Sequence, residues 1–239
     1  MAEDRGAFTA ATGRQLEAAG RDKPRYRRYQ YDLIAPHCGR TILEVGAGLG
    51  EFAEQFDDVD RLVLTDVDPG AVDLMARRFA GRPEVQTRTL ALGVAPGLEE
   101  PVDSVVAINV LEHIEDDAGA LRSLATAVQP GGSIVLWVPG YQQLYGEFDR
   151  KVGHVRRYTP STLASAVRRA GLDVELVKPV NLLGGIAWWL TVRRGGSTSP
   201  DSKLVAVFDR FVVPVTRALE RVMRPPFGQS VLCVARVRA

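Results

Sequence analysis

The 239-residue sequence is 46% hydrophobic and 25% charged, a balance typical of one globular domain with a single core. Its 30 Lys and Arg residues against 29 Asp and Glu give a net charge of +1, which argues against a nucleic-acid partner. Cys38 and Cys233 lie far apart, so neither a disulfide framework nor a zinc site is expected. Without a signal-peptide pattern or an apolar run of roughly 20 residues, we expect a cytoplasmic protein with no stable membrane insertion.

Short apolar strands alternate with helices along most of the chain. In chain order, the patterns predict a polar arm over 1–22, a helix over 25–35, a strand over 41–45, a glycine turn over 46–50, a helix from about Glu51, a strand over 61–65, a helix over 70–79, and strands over 85–90 and 103–109. The second half continues with a helix over 119–128, a strand over 133–138, a helix over 159–170, and strands over 172–177 and 230–237.

This alternation predicts a doubly wound α/β domain whose seven-stranded sheet is mostly parallel. We treat 1–239 as one domain, with an N-terminal helical arm or lid over 1–35. Residues 181–229 form a helical insertion between the last two strands, too long for a simple turn. Its second helix, over 203–223, carries one apolar face formed by Leu204, Val207, Phe208, Phe211, Val215, Leu219 and Val222.

The segment ILEVGAGLGEF, at 42–52, is the strongest local signal. Glycines in a strand-to-helix turn let the backbone approach a ligand, and a helix N-terminus favours an anionic group. A dinucleotide fingerprint would need glycine at position 51, where Glu51 stands instead. Glu44, within the preceding strand, needs a partner if buried, and the cationic amino-acid end of S-adenosylmethionine (SAM) would supply one.

Asp66 closes the second strand, where a carboxylate can accept two hydrogen bonds from a ribose diol. Its position suits both a nicotinamide dinucleotide and SAM, so Asp66 alone does not choose between these cofactors.

Four segments together resemble the class I SAM-dependent methyltransferases, in the order and at the spacing of that family. They are ILEVGAGLGEF (42–52), TDVDP (65–69), VDSVVAINVLEHIEDD (102–117) and VQPGGSIVLWVP (128–139). The resemblance implies a Rossmann-like fold and SAM as cofactor, with S-adenosylhomocysteine as product. It also implies a cofactor site formed by Glu44, Gly46, Ala47, Gly48, Gly50, Asp66, Val67, Leu90, Ala91, Asn109 and Val110. The family often has an acidic residue near the adenine after the third strand, and this chain has none there.

The segment YGEFDRKVGHVRRY, at 145–158, and NLLGGIAWW, at 181–189, look like a bacterial subgroup of small-molecule methyltransferases. Catalytic candidates are His154 and His113, either of which could act as a base. The substrate-binding candidates are Tyr145, Arg156, Arg157, Tyr158 and Trp188. Salt bridges from Arg156 and Arg157 to Asp149 or Glu147 are an equal alternative. No spacing indicates a metal site.

We therefore expect methyl transfer to oxygen or nitrogen of a small organic acceptor, possibly apolar or lipid-like. A SAM-binding relative with a non-methylating reaction and, less favoured, a nicotinamide-dependent oxidoreductase remain alternatives; the near-neutral charge disfavours an RNA methyltransferase. The insertion could be a packed cap, a dimer interface or a peripheral membrane contact, so a monomer or a homodimer is expected.

Overall fold

The computed structural model describes residues 23–91, 93–193 and 202–238. Within these ranges it forms one seven-stranded sheet of order β3-β2-β1-β4-β5-β7-β6. The strands are β1 (Thr41–Val45), β2 (Arg61–Asp66), β3 (Val85–Thr89), β4 (Val102–Ile108), β5 (Val128–Pro139), β6 (Asp173–Val180) and β7 (Ser230–Arg236).

All neighbouring strands run parallel except those that pair with β7, which runs antiparallel to both β5 and β6. The central strands are buried on both faces, with an apolar cluster on each side of the sheet, as a doubly wound fold requires. The predicted mostly parallel, Rossmann-like sheet is therefore confirmed.

Eight α-helices surround this sheet in the described part of the chain. They are α1 (Pro24–Ile34), α2 (Pro69–Arg78), α3 (Asp117–Ala125), α4 (Glu147–Lys151), α5 (Pro160–Arg169), α6 (Leu182–Trp188), α7 (Ser202–Val207) and α8 (Val213–Val222). The start of α5 is as predicted, because the Thr159 hydroxyl accepts a hydrogen bond from the Thr162 amide and Pro160 occupies the first helical position.

The helix predicted from about Glu51 is wrong. A turn leads instead into one short 3₁₀ segment, Ala53–Gln55, before β2 begins at Arg61. Phe52 and Phe56 pack edge to face with ring centroids 5.5 Å apart, and both contact Tyr31 of α1. This packing, together with the short connection to β2, leaves no room for a regular helix, so the helix-dipole argument for an anionic ligand does not apply here.

The insertion packs against α1 through buried polar contacts. The Asp209 carboxylate is buried and accepts hydrogen bonds from the backbone amides of Arg25 and Tyr26, at 3.2 and 2.8 Å. The Glu220 carboxylate accepts bonds from the Tyr29 hydroxyl, at 2.5 Å, and from the Leu182 amide, at 2.8 Å. These contacts attach α6 and α8 to the helix that opens the described chain.

The helix predicted over 203–223 is interrupted by a π-helical stretch, Phe208–Val212, just before Pro214. Most of the predicted apolar face is exposed, with Phe211 61% and Leu204 57% accessible, because the buried face of this segment carries Asp209, Val213 and Thr216 instead. No helix among the described residues is both long enough and apolar enough to cross a bilayer. The predicted arm over 1–22 lies outside the described residues, as do 194–201, which hold most of the polar segment that separates the two halves of the insertion.

Candidate functional site

The glycine turn after β1 lies beside the end of β4. Gly46, Gly48 and Gly50 all adopt positive φ, between +58° and +74°, which side-chain-bearing residues rarely accept. A Cβ at Gly46 would lie 2.5 Å from Cγ2 of Val110, whereas a Cβ at Gly48 would meet nothing within 4 Å. The turn is therefore pressed against Val110 on one side and open at Gly48.

Glu44, the residue before the last in β1, is only 3% exposed. Its Oε2 atom has no hydrogen-bond partner among the described residues, and burial raises the pKa of this carboxyl to about 8. A buried carboxylate without a partner is costly, so this side chain calls for a cationic or hydrogen-bonding ligand.

Asp66, at the end of β2, ties the glycine turn to its own strand. One carboxylate oxygen accepts a hydrogen bond from the Gly48 amide at 2.9 Å, and the other accepts one from the Asp68 amide at 3.0 Å. Each oxygen keeps a free acceptor direction, so the side chain can still receive hydroxyl donors. Val67 is 63% exposed beside it, and the Ala47 amide bonds to the Thr65 carbonyl.

The remaining predicted cofactor residues lie on the loops that follow β3 and β4. Leu90 is buried and its amide bonds to the Asp66 carbonyl at 3.0 Å, while Ala91 is exposed. Asn109 is exposed with a φ of +53°, and Val110 is buried against the glycine turn. The carboxyl ends of parallel strands form the ligand edge of such sheets, and the structure brings the predicted set to that edge.

A second group of side chains, here called the acid–histidine cluster, comprises Glu112, His113 and His154. One donor atom from each lies within 4.8 Å of the other two. The imidazole rings of His113 and His154 meet edge to face with centroids 4.7 Å apart, and Nε2 of His154 lies 3.7 Å from a Glu112 oxygen. Glu112 and His113 belong to a 3₁₀ turn that follows Asn109 and Val110, so the cluster lies next to the predicted cofactor loop.

The electrostatics of this cluster are unusual. Glu112 is fully buried, neither of its oxygens has a hydrogen-bond partner among the described residues, and burial raises its pKa to about 8. Burial and the neighbouring His154 both lower the pKa of His113. The cluster thus places two imidazoles beside a buried carboxyl group that accepts no hydrogen bond from the described residues.

Asp149 fixes His154 from behind. Its buried carboxylate contacts Nδ1 of His154 at 2.8 Å and receives hydrogen bonds from Nε and Nη2 of Arg157, at 2.8 and 3.1 Å. Burial alone would raise the pKa of Asp149, but these bonds from His154 and Arg157 hold it below its usual range. Because Nδ1 of His154 faces the Asp149 carboxylate, that nitrogen is placed to donate, and Nε2 points into the cluster, 3.7 Å from a Glu112 oxygen.

Trp188 of the insertion covers this arrangement. Its ring stacks on the Arg157 guanidinium at 5.2 Å and meets Phe148 edge to face at 5.1 Å. The Trp188 indole also donates to the Leu144 carbonyl at 3.3 Å. The insertion therefore supports the loop that carries His154.

The structure gives the other predicted substrate residues internal partners. Arg157 is buried against Asp149, which is one of the alternatives that the sequence left open, whereas Arg156 pairs with Asp117 at 3.0 Å rather than with Asp149 or Glu147. Tyr158 is 1% exposed and donates to Asp117, so it packs in the core, and its contact with a substrate stays a prediction. The Tyr145 hydroxyl is half-buried and donates to the His154 carbonyl at 2.8 Å.

His37 lies at the opposite edge of the sheet. Its Nδ1 atom is 3.6 Å from Glu175, and burial lowers its pKa. It lines an open hollow of about 520 Å³ at the amino ends of β1 and β4. Because ligands of such sheets bind at the carboxyl edge, we assign no catalytic role to this hollow.

Sequence reasoning missed Glu112 and Asp149 as members of the site. Both are acidic residues next to the histidine candidates, Glu112 by one position and Asp149 by five. What marks them as members of the site is that both carboxyl groups are buried, and this burial arises only when the segment after β4 packs against the loop after β5.

Comparison with known proteins adds three findings. A family model described as a methyltransferase domain matches residues 9–177. A probable S-adenosylmethionine-dependent methyltransferase of Mycolicibacterium smegmatis is 31% identical over 178 residues, covering 72% of this chain and 68% of the relative. A ubiquinone biosynthesis O-methyltransferase of Paracidovorax citrulli is 29% identical over 161 residues, covering 60% of this chain and 67% of the relative.

Among solved structures, the N-methyltransferase NodS of Bradyrhizobium japonicum, in complex with S-adenosyl-L-homocysteine, has a similar fold. The TM-score is 0.57 at 16% sequence identity, and the match covers 91% of this chain and 90% of that one.

Proposed function

We propose a reaction for this chain from one premise: the chain belongs to the class I SAM-dependent methyltransferases. It is an enzyme, and SAM is its cofactor. The reaction that we propose is transfer of the methyl group to oxygen or nitrogen of a small organic acceptor.

The residues at the carboxyl edge fit this cofactor. We assign the ammonium end of its amino-acid part to the unpartnered Glu44 carboxyl, and its ribose hydroxyls to the Asp66 carboxylate. The open side of Gly48 leaves space for close approach to the turn, and Val67 offers exposed apolar surface to the adenine. When bound, the cofactor supplies a methyl group already activated on a sulfonium sulfur.

The single observation that carries the acceptor assignment is the position of the acid–histidine cluster. It follows Asn109 and Val110 directly in the chain, at the edge where the cofactor residues converge. Methyl transfer needs an acceptor aligned with the donor and, for a hydroxyl or ammonium acceptor, loss of a proton. The lone pair on Nε2 of His154, with His113 beside it, can take that proton itself or bind a cation that makes the acceptor more acidic.

Three observations support a small acceptor, with oxygen favoured over nitrogen. The net charge of +1 provides no extended basic field for nucleic acid. The relative from Paracidovorax citrulli is an O-methyltransferase of ubiquinone biosynthesis, which is consistent with an oxygen acceptor. Trp188 and Phe148 place aromatic surface next to His154, which suits an acceptor with an apolar body.

The cofactor assignment is tested by calorimetric titration of the purified chain with SAM and with its demethylated product. We expect micromolar binding of both, weakened at least tenfold in Asp66→Asn. The matched control is Asp73→Asn, which changes an exposed aspartate on α2 and should leave binding unchanged. Unweakened binding in Asp66→Asn would overturn the ribose assignment.

The reaction is tested by mass spectrometry of small phenols, enols, carboxylic acids and amines incubated with enzyme and SAM. Methyl transfer adds one methylene to the acceptor mass and yields equimolar S-adenosylhomocysteine. Conversion of an acceptor without that gain in mass would instead indicate a non-methylating reaction.

A further inference from the structure

We propose that the acid–histidine cluster binds one divalent transition-metal ion, which in turn holds an oxygen atom of the methyl acceptor. This inference rests on the proposed function for its acceptor part. Its metal part stands on the geometry of Glu112, His113 and His154 alone.

The three side chains offer a suitable donor set. Two imidazoles and one carboxylate are typical ligands of zinc and of non-haem iron, and both ions accept such sets with open positions for substrate. Metal–ligand bonds of about 2.0–2.2 Å place two ligand atoms at most about 4.2 Å apart. The donor atoms here lie within 4.8 Å of one another, so a contraction of less than about 1 Å brings all three into range.

Both histidines are already oriented by second partners. Nδ1 of His154 is held by Asp149 at 2.8 Å, and Nδ1 of His113 lies against Gly153, 3.8 Å from where a Cβ would stand. Burial lowers the pKa of His113, and the Gly153 backbone acts against that shift by raising it. A carboxylate or carbonyl behind a ligating histidine is the usual arrangement in metal sites, since it fixes the tautomer and the ring orientation. Asp149 is itself held by hydrogen bonds from Arg157, and Trp188 stacks on the Arg157 guanidinium.

The Glu112 carboxyl is the independent observation that points to a ligand. It is fully buried, faces Nε2 of His154 at 3.7 Å, and neither of its oxygens has a hydrogen-bond partner among the described residues. A carboxyl group buried in this way needs a proton or a cation, and a carboxylate within reach of two imidazoles is better suited to a metal ion than to solvent.

A metal ion at this position would select the acceptor. Three protein ligands leave at least one coordination position open, and an oxygen atom of a phenol, enol or carboxylate can occupy it, whereas an ammonium group cannot. The hydroxyl proton would pass to bulk water, the acceptor oxygen would form its bond to the methyl carbon, and the bond from that carbon to sulfur would break. The inference therefore narrows the acceptor to oxygen.

The test is calorimetric titration with zinc sulfate of the full-length, tag-free chain after treatment with a chelator, with magnesium chloride as an oxygen-preferring comparison ion. We expect one zinc ion per chain with micromolar or tighter affinity, and much weaker magnesium binding. Glu112→Gln and His154→Gln should each weaken zinc binding at least tenfold. The matched control is His37→Gln, which changes the histidine at the opposite edge and should retain full affinity.

Two variants are used so that a folding defect in one, detected by circular dichroism, does not decide the outcome. Absence of zinc binding at 100 µM, or equal binding by wild type and both variants, would overturn the metal site. The proposed function is judged separately, because SAM binding in the presence of chelator tests the cofactor site without the ion. A chain that binds SAM but no zinc refutes this inference alone, and a chain that binds zinc but no SAM refutes the proposed function alone.

Discussion

Replacing Glu44 with glutamine should stabilise the cofactor-free protein, and increasingly so as the pH rises. Burial raises the pKa of this carboxyl from 4.5 to about 8, so between these values the folded chain retains a proton that the unfolded chain has lost. Unfolding is therefore favoured by about 1.4 kcal/mol more for each pH unit in that window. From pH 5 to pH 8 the penalty grows by about 3.5 kcal/mol, and it approaches about 5 kcal/mol above pH 8.

The assay is urea unfolding of wild type and Glu44→Gln at pH 5, 6, 7 and 8, without SAM. Because glutamine does not titrate, the free energy of unfolding of the variant minus that of wild type should rise by about 3.5 kcal/mol across the series. Glu99→Gln changes an exposed glutamate and should give a flat difference. Saturating SAM at pH 8 should stabilise wild type more than Glu44→Gln, because only the ionised glutamate can pair with the cofactor ammonium.

A constant difference between wild type and Glu44→Gln over this range would refute the reasoning. It would mean that Glu44 ionises normally in the folded chain and already has a partner. The assignment of its carboxyl to the cofactor ammonium would then lose its physical basis.

Two further predictions concern the support of the site and the glycine turn. Arg157→Met should lower the free energy of unfolding by about 3–5 kcal/mol in urea titrations, because it removes both guanidinium hydrogen bonds and the positive charge from the buried Asp149 carboxylate. Arg156→Met, from a more exposed pair, should cost about 1 kcal/mol or less, and equal losses would contradict this reasoning. Gly46→Ala should destabilise the fold more than Gly48→Ala, since only a Cβ at position 46 would clash with Val110, at 2.5 Å. Gly48→Ala should chiefly weaken SAM binding, measured by calorimetry. A larger loss of stability in Gly48→Ala than in Gly46→Ala would argue against an open approach at Gly48.

Most of the sheet could be predicted from the sequence. The apolar segment over 41–45 forms β1 with the predicted bounds, and β2 extends the predicted segment over 61–65 by one residue. These strands are buried between two layers, so their apolar runs reflect a direct physical requirement. The start of α5 could be predicted equally well, because helix capping by Thr159 and the position of Pro160 depend little on tertiary contacts.

Features that depend on distant contacts could not be predicted. The segment after Gly50 has a composition compatible with a helix, but Phe52 and Phe56 pack onto α1 and enforce a short turn. The buried face of the helical segment over 203–223 could not be predicted, since periodicity marks an apolar stripe but not the buried contacts of Asp209.

The acid–histidine cluster shows the same limit for the site. His113 and His154 were identified as separate candidates, each judged from its own loop. Their contact, and the burial of Glu112 beside them, arise from the packing of the loop after β4 against the loop after β5. Residue spacing along the chain contains no signal for such a contact between two loops.

The attachment of α1 to the insertion has a consequence for biosynthesis. Asp209 caps the start of α1 across a separation of 184 residues, and Glu220 binds Tyr29 across 191. At a translation rate of about 5–20 residues per second, α1 would leave the ribosome roughly 10–40 s before these partners are made. The contacts between α1 and the insertion are therefore among the last to form, and a chaperone that holds the nascent chain would find this side of α1 uncovered throughout that interval.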